Sequence, residues 1–128
     1  MIEVYIDAAS QGNPGLSGGG IFVKGEGKNL EYSIPLGIMN NHLAEFATLV
    51  KALEICKDNG FSVVSFRSDS QIVCDSIEKG FVKNQEFKAY LDSAQDIIRS
   101  LDLFFIKWIP SKENKHADIL ARQAIHNN

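Results

Sequence analysis

The sequence predicts an α/β fold: a mixed five-stranded sheet, three antiparallel strands then two parallel ones, with helices on both faces. Three observations lead there. Residues 2–37 hold three strand-like segments joined by short connections, which implies an antiparallel meander. From residue 42 the apolar residues recur at three- and four-residue steps instead, the period of an amphipathic helix. Two later strand-like segments each follow a helix long enough for a crossover, so each is expected to lie parallel to a neighbour. A sheet covered on both faces is the closed solution for that order.

IEVYIDA (2–8) is rich in β-branched and aromatic residues and reads as the first strand. GGGIFVKG (18–25) and LEYSIPLG (30–37) read as the second and third, with GEGKN as the turn between them. Leu43, Phe46, Ala47, Val50, Leu53 and Cys56 line one side of a helix from His42 to Asn59, stopped by Asn59-Gly60. SVVSFRS (62–68) is a fourth strand. DSQIVCDSIEKG predicts a short helix with Asp69 at its N-terminus and Gly80 at its C-terminus. EFKAYLDSAQDIIRSL predicts another, with Phe87, Tyr90, Leu91, Ala94, Ile97 and Ile98 on one side. LFFIKWI (103–109) is a fifth strand ended by Pro110, SKENK a loop, and HADILARQAI a last helix capped by Asn114.

The 128 residues read as a single domain (1–128), long enough for one sizeable core. Hydrophobic content of 45% and charged content of 23% are near globular averages. No apolar run approaches a bilayer crossing, and Met1 leads directly into IEVYID rather than a basic segment. Neither a membrane span nor a signal peptide is therefore expected, and a cytoplasmic monomer is. Cys56 and Cys74 lack CxxC spacing and read as half-buried free thiols. A net charge of −3 argues against nucleic-acid binding by basic charge alone. Setting aside four of the sixteen acids for a metal site turns −3 into +1, so a polyanionic substrate remains compatible.

In open α/β sheets, ligands gather beyond the carboxyl ends of parallel strands. Asp7 is the last polar residue of the first strand, and Asp69 directly follows the fourth. Glu45 and Asp118 fall in the first turns of their helices, where negative charge is favoured. Any one acid alone reads as a cap or a solvated surface group, and Asp69 suits a helix cap. Glu45 fits that description less well, with Leu43, Phe46 and Ala47 around it. Four carboxylates at one mouth raise one another's pKa. A hard cation that prefers oxygen ligands, Mg²⁺ or Mn²⁺, relieves this. Two such ions about 4 Å apart can activate a water and stabilise the leaving oxygen of an in-line phosphoryl displacement. The sequence offers no Cys/His spacing for zinc, no GxSxG and no Walker lysine.

DAASQGNPG, NHLAEF, SDSQ and KENKHADILA, in that order, resemble the four signature segments of the type 1 ribonuclease H family, and the likeness runs through essentially the whole chain. The resemblance implies that Asp7, Glu45, Asp69 and Asp118 are catalytic and bind two Mg²⁺ ions, with Mn²⁺ as the alternative. It implies cleavage of the RNA strand of an RNA–DNA hybrid, leaving 5′-phosphate and 3′-hydroxyl ends. It further implies that Asn13, Asn41 and Gln71 touch the hybrid's minor groove, where the 2′-hydroxyl distinguishes RNA from DNA. An amide suits that task because it both donates and accepts. The stretch DAASQGNPGLSGGG is a turn rather than a phosphate cradle, since a strand and not a helix follows it. Its glycines are expected to let the backbone approach a nucleic-acid groove.

The chain also departs from the family pattern. His42 stands where the second of two asparagines is common, and Asn40 where a threonine often helps to hold a DNA phosphate. Both are substrate-binding candidates. The basic protrusion is absent, Gly80 and Phe81 leading directly to VKNQEF. Affinity is therefore expected to lean on Lys83, Lys88, Lys107, Lys112 and Lys115, each of which alone reads as part of a solvated face. The histidine-bearing loop before the last aspartate is missing. His116 is expected to face solvent in the first helical turn, with a catalytic role as the alternative, and His126 to be uninvolved. Three other readings stay open. One is an acid-rich 3′–5′ exonuclease, although Asp7-Ala8-Ala9 lacks its paired acids. Another is a phosphate-binding α/β module, although three strands precede any helix. The last is a ribonuclease H domain that binds hybrids without cutting them.

Overall fold

The computed structural model describes residues 1–128. In chain order the elements are β1 (Ile2–Gly12), β2 (Gly15–Gly25), β3 (Lys28–Met39), α1 (Asn41–Asp58), β4 (Val63–Ser68), α2 (Gln71–Lys79), α3 (Gln85–Arg99), β5 (Leu103–Trp108), a 3-10 turn (Ser111–Glu113) and α4 (Lys115–Ile125). The strands form one sheet in the order β3-β2-β1-β4-β5. β2 pairs antiparallel with β1 and β3, whereas β4 pairs parallel with β1 and β5, as the crossovers require.

Alternation along the strands sorts side chains between two layers. Ile2, Val4 and Ile6 join Val23, Val64 and Phe66 in the main core, against Phe46, Leu49 and Leu53 of α1. α3 packs on α1, with the Phe87 ring 5.1 Å from that of Phe46. The opposite face is closed by α4, which rests directly on β2. A Cβ at Gly18 would lie 2.4 Å from the Ala121 carbonyl oxygen, and one at Gly20 2.0 Å from that of Ala117. At Gly19, which faces the other layer, it would lie 2.5 Å from Thr48 Oγ1 of α1. Gly18, Gly19 and Gly20 are buried and serve helix packing, not the approach to a nucleic-acid groove expected of them.

Three local assignments change. β1 runs on to Gly12 and β2 begins at Gly15, because hairpin pairing continues from Glu3↔Lys24 to Gly12↔Gly15 while pairing with β4 stops at Ile6↔Ser68. Asp7 therefore sits inside β1, where the parallel ladder ends, rather than at the strand's end. The cap of α2 is Ser70, whose Oγ accepts from Val73 N at 3.3 Å; Asp69, one residue earlier, is not the cap. Asn114 holds the cap position of α4, but its side chain makes no capping bond. Cys56 and Cys74 are free and fully buried, and burial above all pushes their thiols up to about 12 and about 11. No helix is long and apolar enough to cross a membrane.

Candidate active site

Asp7 leaves β1 beside Asp69, the residue after β4, because the two strands are parallel neighbours in the register Ile6↔Ser68. Asp118 lies in the first turn of α4. That turn is held close by Gly20, the register partner of Asp7, whose missing side chain admits the Ala117 carbonyl. Glu45 comes from α1; since the helix starts at Asn41, Glu45 stands in its second turn rather than its first. The four carboxylates line one open cleft of about 550 Å³.

Burial, then the charge of Asp69 and more weakly that of Asp118, push the Asp7 carboxyl up to about 8, against the pull of the Ala8 N–H donating to its Oδ1 at 2.9 Å. Burial is also the main cause that raises Glu45, with Asp69 adding to it. Ser70 and His42 oppose that rise, His42 Nδ1 lying 3.2 Å from Glu45 Oε1. Asp118 is compensated differently: Arg122 Nε, one helical turn on, donates to its two oxygens at 3.2 and 3.0 Å. The pairing with Arg122 offsets part of the like-charge crowding at Asp118. In this arrangement no three of the side chains converge as ready metal ligands. The donor chemistry, four carboxylates in one cleft, is nonetheless that of a site for hard cations.

The amide candidates gather around the same end of the sheet. Asn13, in the β1–β2 turn, accepts with its Oδ1 from the Asn41 N–H at 2.9 Å, tying the hairpin tip to the start of α1. Asn41 itself lines the cleft. Asn40 caps α1, its Oδ1 accepting from Leu43 N at 2.8 Å, so that oxygen is committed to the helix. Gln71 is exposed at the first residue of α2, and its Nε2 donates to Asp75 Oδ1 at 2.9 Å. With His42, Phe81 and Lys83 it lines a second groove, of about 620 Å³, that shares Asp69 with the cleft.

Residues 6–124 match the protein family described as "Reverse transcriptase-like". The Enterococcus faecalis protein named "Putative hydrolase EbsB" is 42% identical over 127 residues, which is 98% of this chain and 94% of that protein. Ribonuclease HI of Halobacterium salinarum is 32% identical over 127 residues, covering 97% of this chain but 64% of that protein's length. A crystal structure of ribonuclease H1 from the same archaeon superposes with a TM-score of 0.91 at 30% identity, over 99% of this chain and 98% of that one. The chain belongs to the type 1 ribonuclease H family. LC11-RNase H1, isolated from compost by a metagenomic approach and solved in complex with an RNA/DNA hybrid, has the same fold: TM-score 0.91, 28% identity, 99% of this chain and 98% of that one.

In this ribonuclease H, His116 lies exposed in the first turn of α4, as expected from the sequence, and away from the cleft. His116 stacks on Phe22, ring centroids 3.8 Å apart and 16° from parallel, and bonds to Glu31; it is absent from the cleft lining. His126, at the end of α4, does line the cleft, as does Arg122. Helical periodicity was the signal for both, since Asp118, Arg122 and His126 recur at four-residue steps and share one face. None of the five lysines lines the cleft. Lys88 is paired with Asp92 at 2.9 Å, and Lys107 shares a separate hollow with Glu3, Arg67 and Glu113.

Proposed function

We propose that the protein is a single-domain, monomeric, cytoplasmic ribonuclease H, a metal-dependent endonuclease that hydrolyses the RNA strand of RNA–DNA hybrids. Two Mg²⁺ or Mn²⁺ ions serve the reaction, which leaves 5′-phosphate and 3′-hydroxyl ends. The observation that carries this reading is that Asp7, Glu45, Asp69 and Asp118 line one cleft. Its support is a family that is in general divalent-metal dependent, and a fold shared with a ribonuclease H1 solved with an RNA/DNA hybrid.

Asp7 and Asp69, from adjacent strands, and Glu45 and Asp118, from the two flanking helices, would hold the ions. When bound, the ions supply a nucleophilic water and stabilisation of the leaving oxygen. The remaining tasks belong to the chain. With its oxygen engaged by Asn41, Asn13 keeps its Nδ2 hydrogens for a 2′-hydroxyl or base edge, and the Asn41 side chain stands beside it at the cleft. Gln71, its Nε2 turned to Asp75, keeps its carbonyl oxygen for the same use. Asn40 retains a free amide nitrogen, and His42 is exposed over the rim of the second groove.

Replacing Asp7 with Asn keeps the shape of the side chain and removes its charge. The expected result is a fall in hybrid cleavage on the order of 10³-fold or more, with an unchanged circular dichroism spectrum. Cleavage near the parent rate would take Asp7 out of the site.

A further inference from the structure

Asn114 is 1% exposed and occupies the cap position of α4 with φ −121° and ψ 29°. An asparagine there ordinarily turns its oxygen to the free amides of the first turn. Here it does not. Its Nδ2 instead donates to the Ile6 carbonyl at 2.8 Å, a contact between residues 108 apart in the chain. Ile6 directly precedes Asp7 and is the last residue of β1 to pair with β4. The backbone of Asn114 holds the other side: its carbonyl accepts from Asp118 N at 3.1 Å, and its N–H donates to the Ser111 carbonyl at 2.9 Å. One residue thus links the peptide before Asp7 to the peptide of Asp118. Its Oδ1 is buried without a partner, so the side chain is not placed to satisfy itself or the helix. Only its donor is used.

We propose that Asn114 is a positioning residue for the Asp7–Asp118 pair, setting the distance between α4 and β1 at the point where the two carboxylates share the cleft. This rests on the metal-binding reading of that cleft. An aspartate in its place would have the same volume and could cap α4, but in its ionised form could not donate to Ile6. A second tie between α4 and the sheet, Ser33 Oγ donating to the Leu120 carbonyl at 2.8 Å, involves neither carboxylate and provides the control.

The test compares the parent with Asn114→Ala, Asn114→Asp and Ser33→Ala, each at a temperature where circular dichroism shows it folded. Mn²⁺ binding is measured by calorimetry, and kcat and KM on an RNA–DNA hybrid. Both Asn114 variants are expected to lose about tenfold or more in Mn²⁺ affinity and in kcat, with KM moving by less than about twofold. Ser33→Ala is expected to lower the melting temperature while leaving Mn²⁺ binding and kcat in place. Should Asn114→Ala not fold, Asn114→Asp gives the reading. Mn²⁺ affinity and kcat within about twofold of the parent in the Asn114 variants would overturn the proposal, as would an equal loss in Ser33→Ala. A parent that binds no Mn²⁺ overturns the metal reading of the cleft and this proposal with it. A parent that binds Mn²⁺, with Asn114 variants that bind it equally well, overturns this proposal alone.

Discussion

Asp7 is where the chemistry of the site and the stability of the fold pull against each other. Burial and the charges of Asp69 and Asp118 carry its carboxyl from the ordinary 3.8 up to about 8, and Glu45 shifts in the same direction. An acid whose pKa is raised on folding binds its proton more tightly in the native state than in the unfolded one. Its stabilising contribution is complete below about pH 4 and is lost as pH rises through about 8. The metal-free protein, melted in chelator, is therefore expected to lose stability across that window, and Asp7→Asn to lose less. Parallel melting-temperature profiles for the two proteins would contradict the assignment. The four acids were legible in the sequence because each stands where the parallel β1–β4 ladder ends or near a helix start, where topology directs it to one mouth. Asn114 was not: its role depends on Ile6, far away in the chain, and locally it looks like an ordinary cap. His126 was missed for a different reason, since it is the cap residue just past Ile125, where both the predicted and the observed helix end, and only the four-residue step from Asp118 through Arg122 points to it.

Among the elements, the β2–α4 contact does most to bring Asp118 to Asp7. Gly20→Ala would set a methyl group 2.0 Å from a backbone oxygen of α4, which cannot rotate away. The helix must shift as a whole, at a cost of about 1–3 kcal/mol. The expected consequence is a melting temperature lower by roughly 5–15 °C together with reduced hybrid cleavage. A variant that melts with the parent would show that α4 does not rest on Gly20. The order and type of every strand and helix were readable from apolar spacing, and so was the parallel placement of β4 and β5. Strand lengths were not. Residues 8–12, AASQG, contain no strong strand former and are extended by pairing with β2, a tertiary effect that local propensity does not record. The same holds for Gly18 to Gly20, whose closeness to two helices is invisible until both helices are packed.

For the molecule as a whole, the charge balance fits a substrate held by shape and amide contacts more than by bulk attraction. Net charge is −3, a basic protrusion is lacking, and the cleft itself is lined by Arg122 and His126 rather than by lysines. Such a surface has little to hold duplex DNA by charge alone, and under the proposed function discrimination would fall to amides such as Asn13 and Asn41, which are joined at the hairpin tip. The most direct test offers the protein end-labelled RNA–DNA hybrid, duplex DNA, duplex RNA and each single strand, with Mg²⁺ or Mn²⁺ and with chelator. Only the RNA strand of the hybrid is expected to be cut, only with a divalent ion, to fragments bearing 5′-phosphate and 3′-hydroxyl ends. An intact hybrid in the presence of either metal, or equal cutting of duplex DNA, would contradict it.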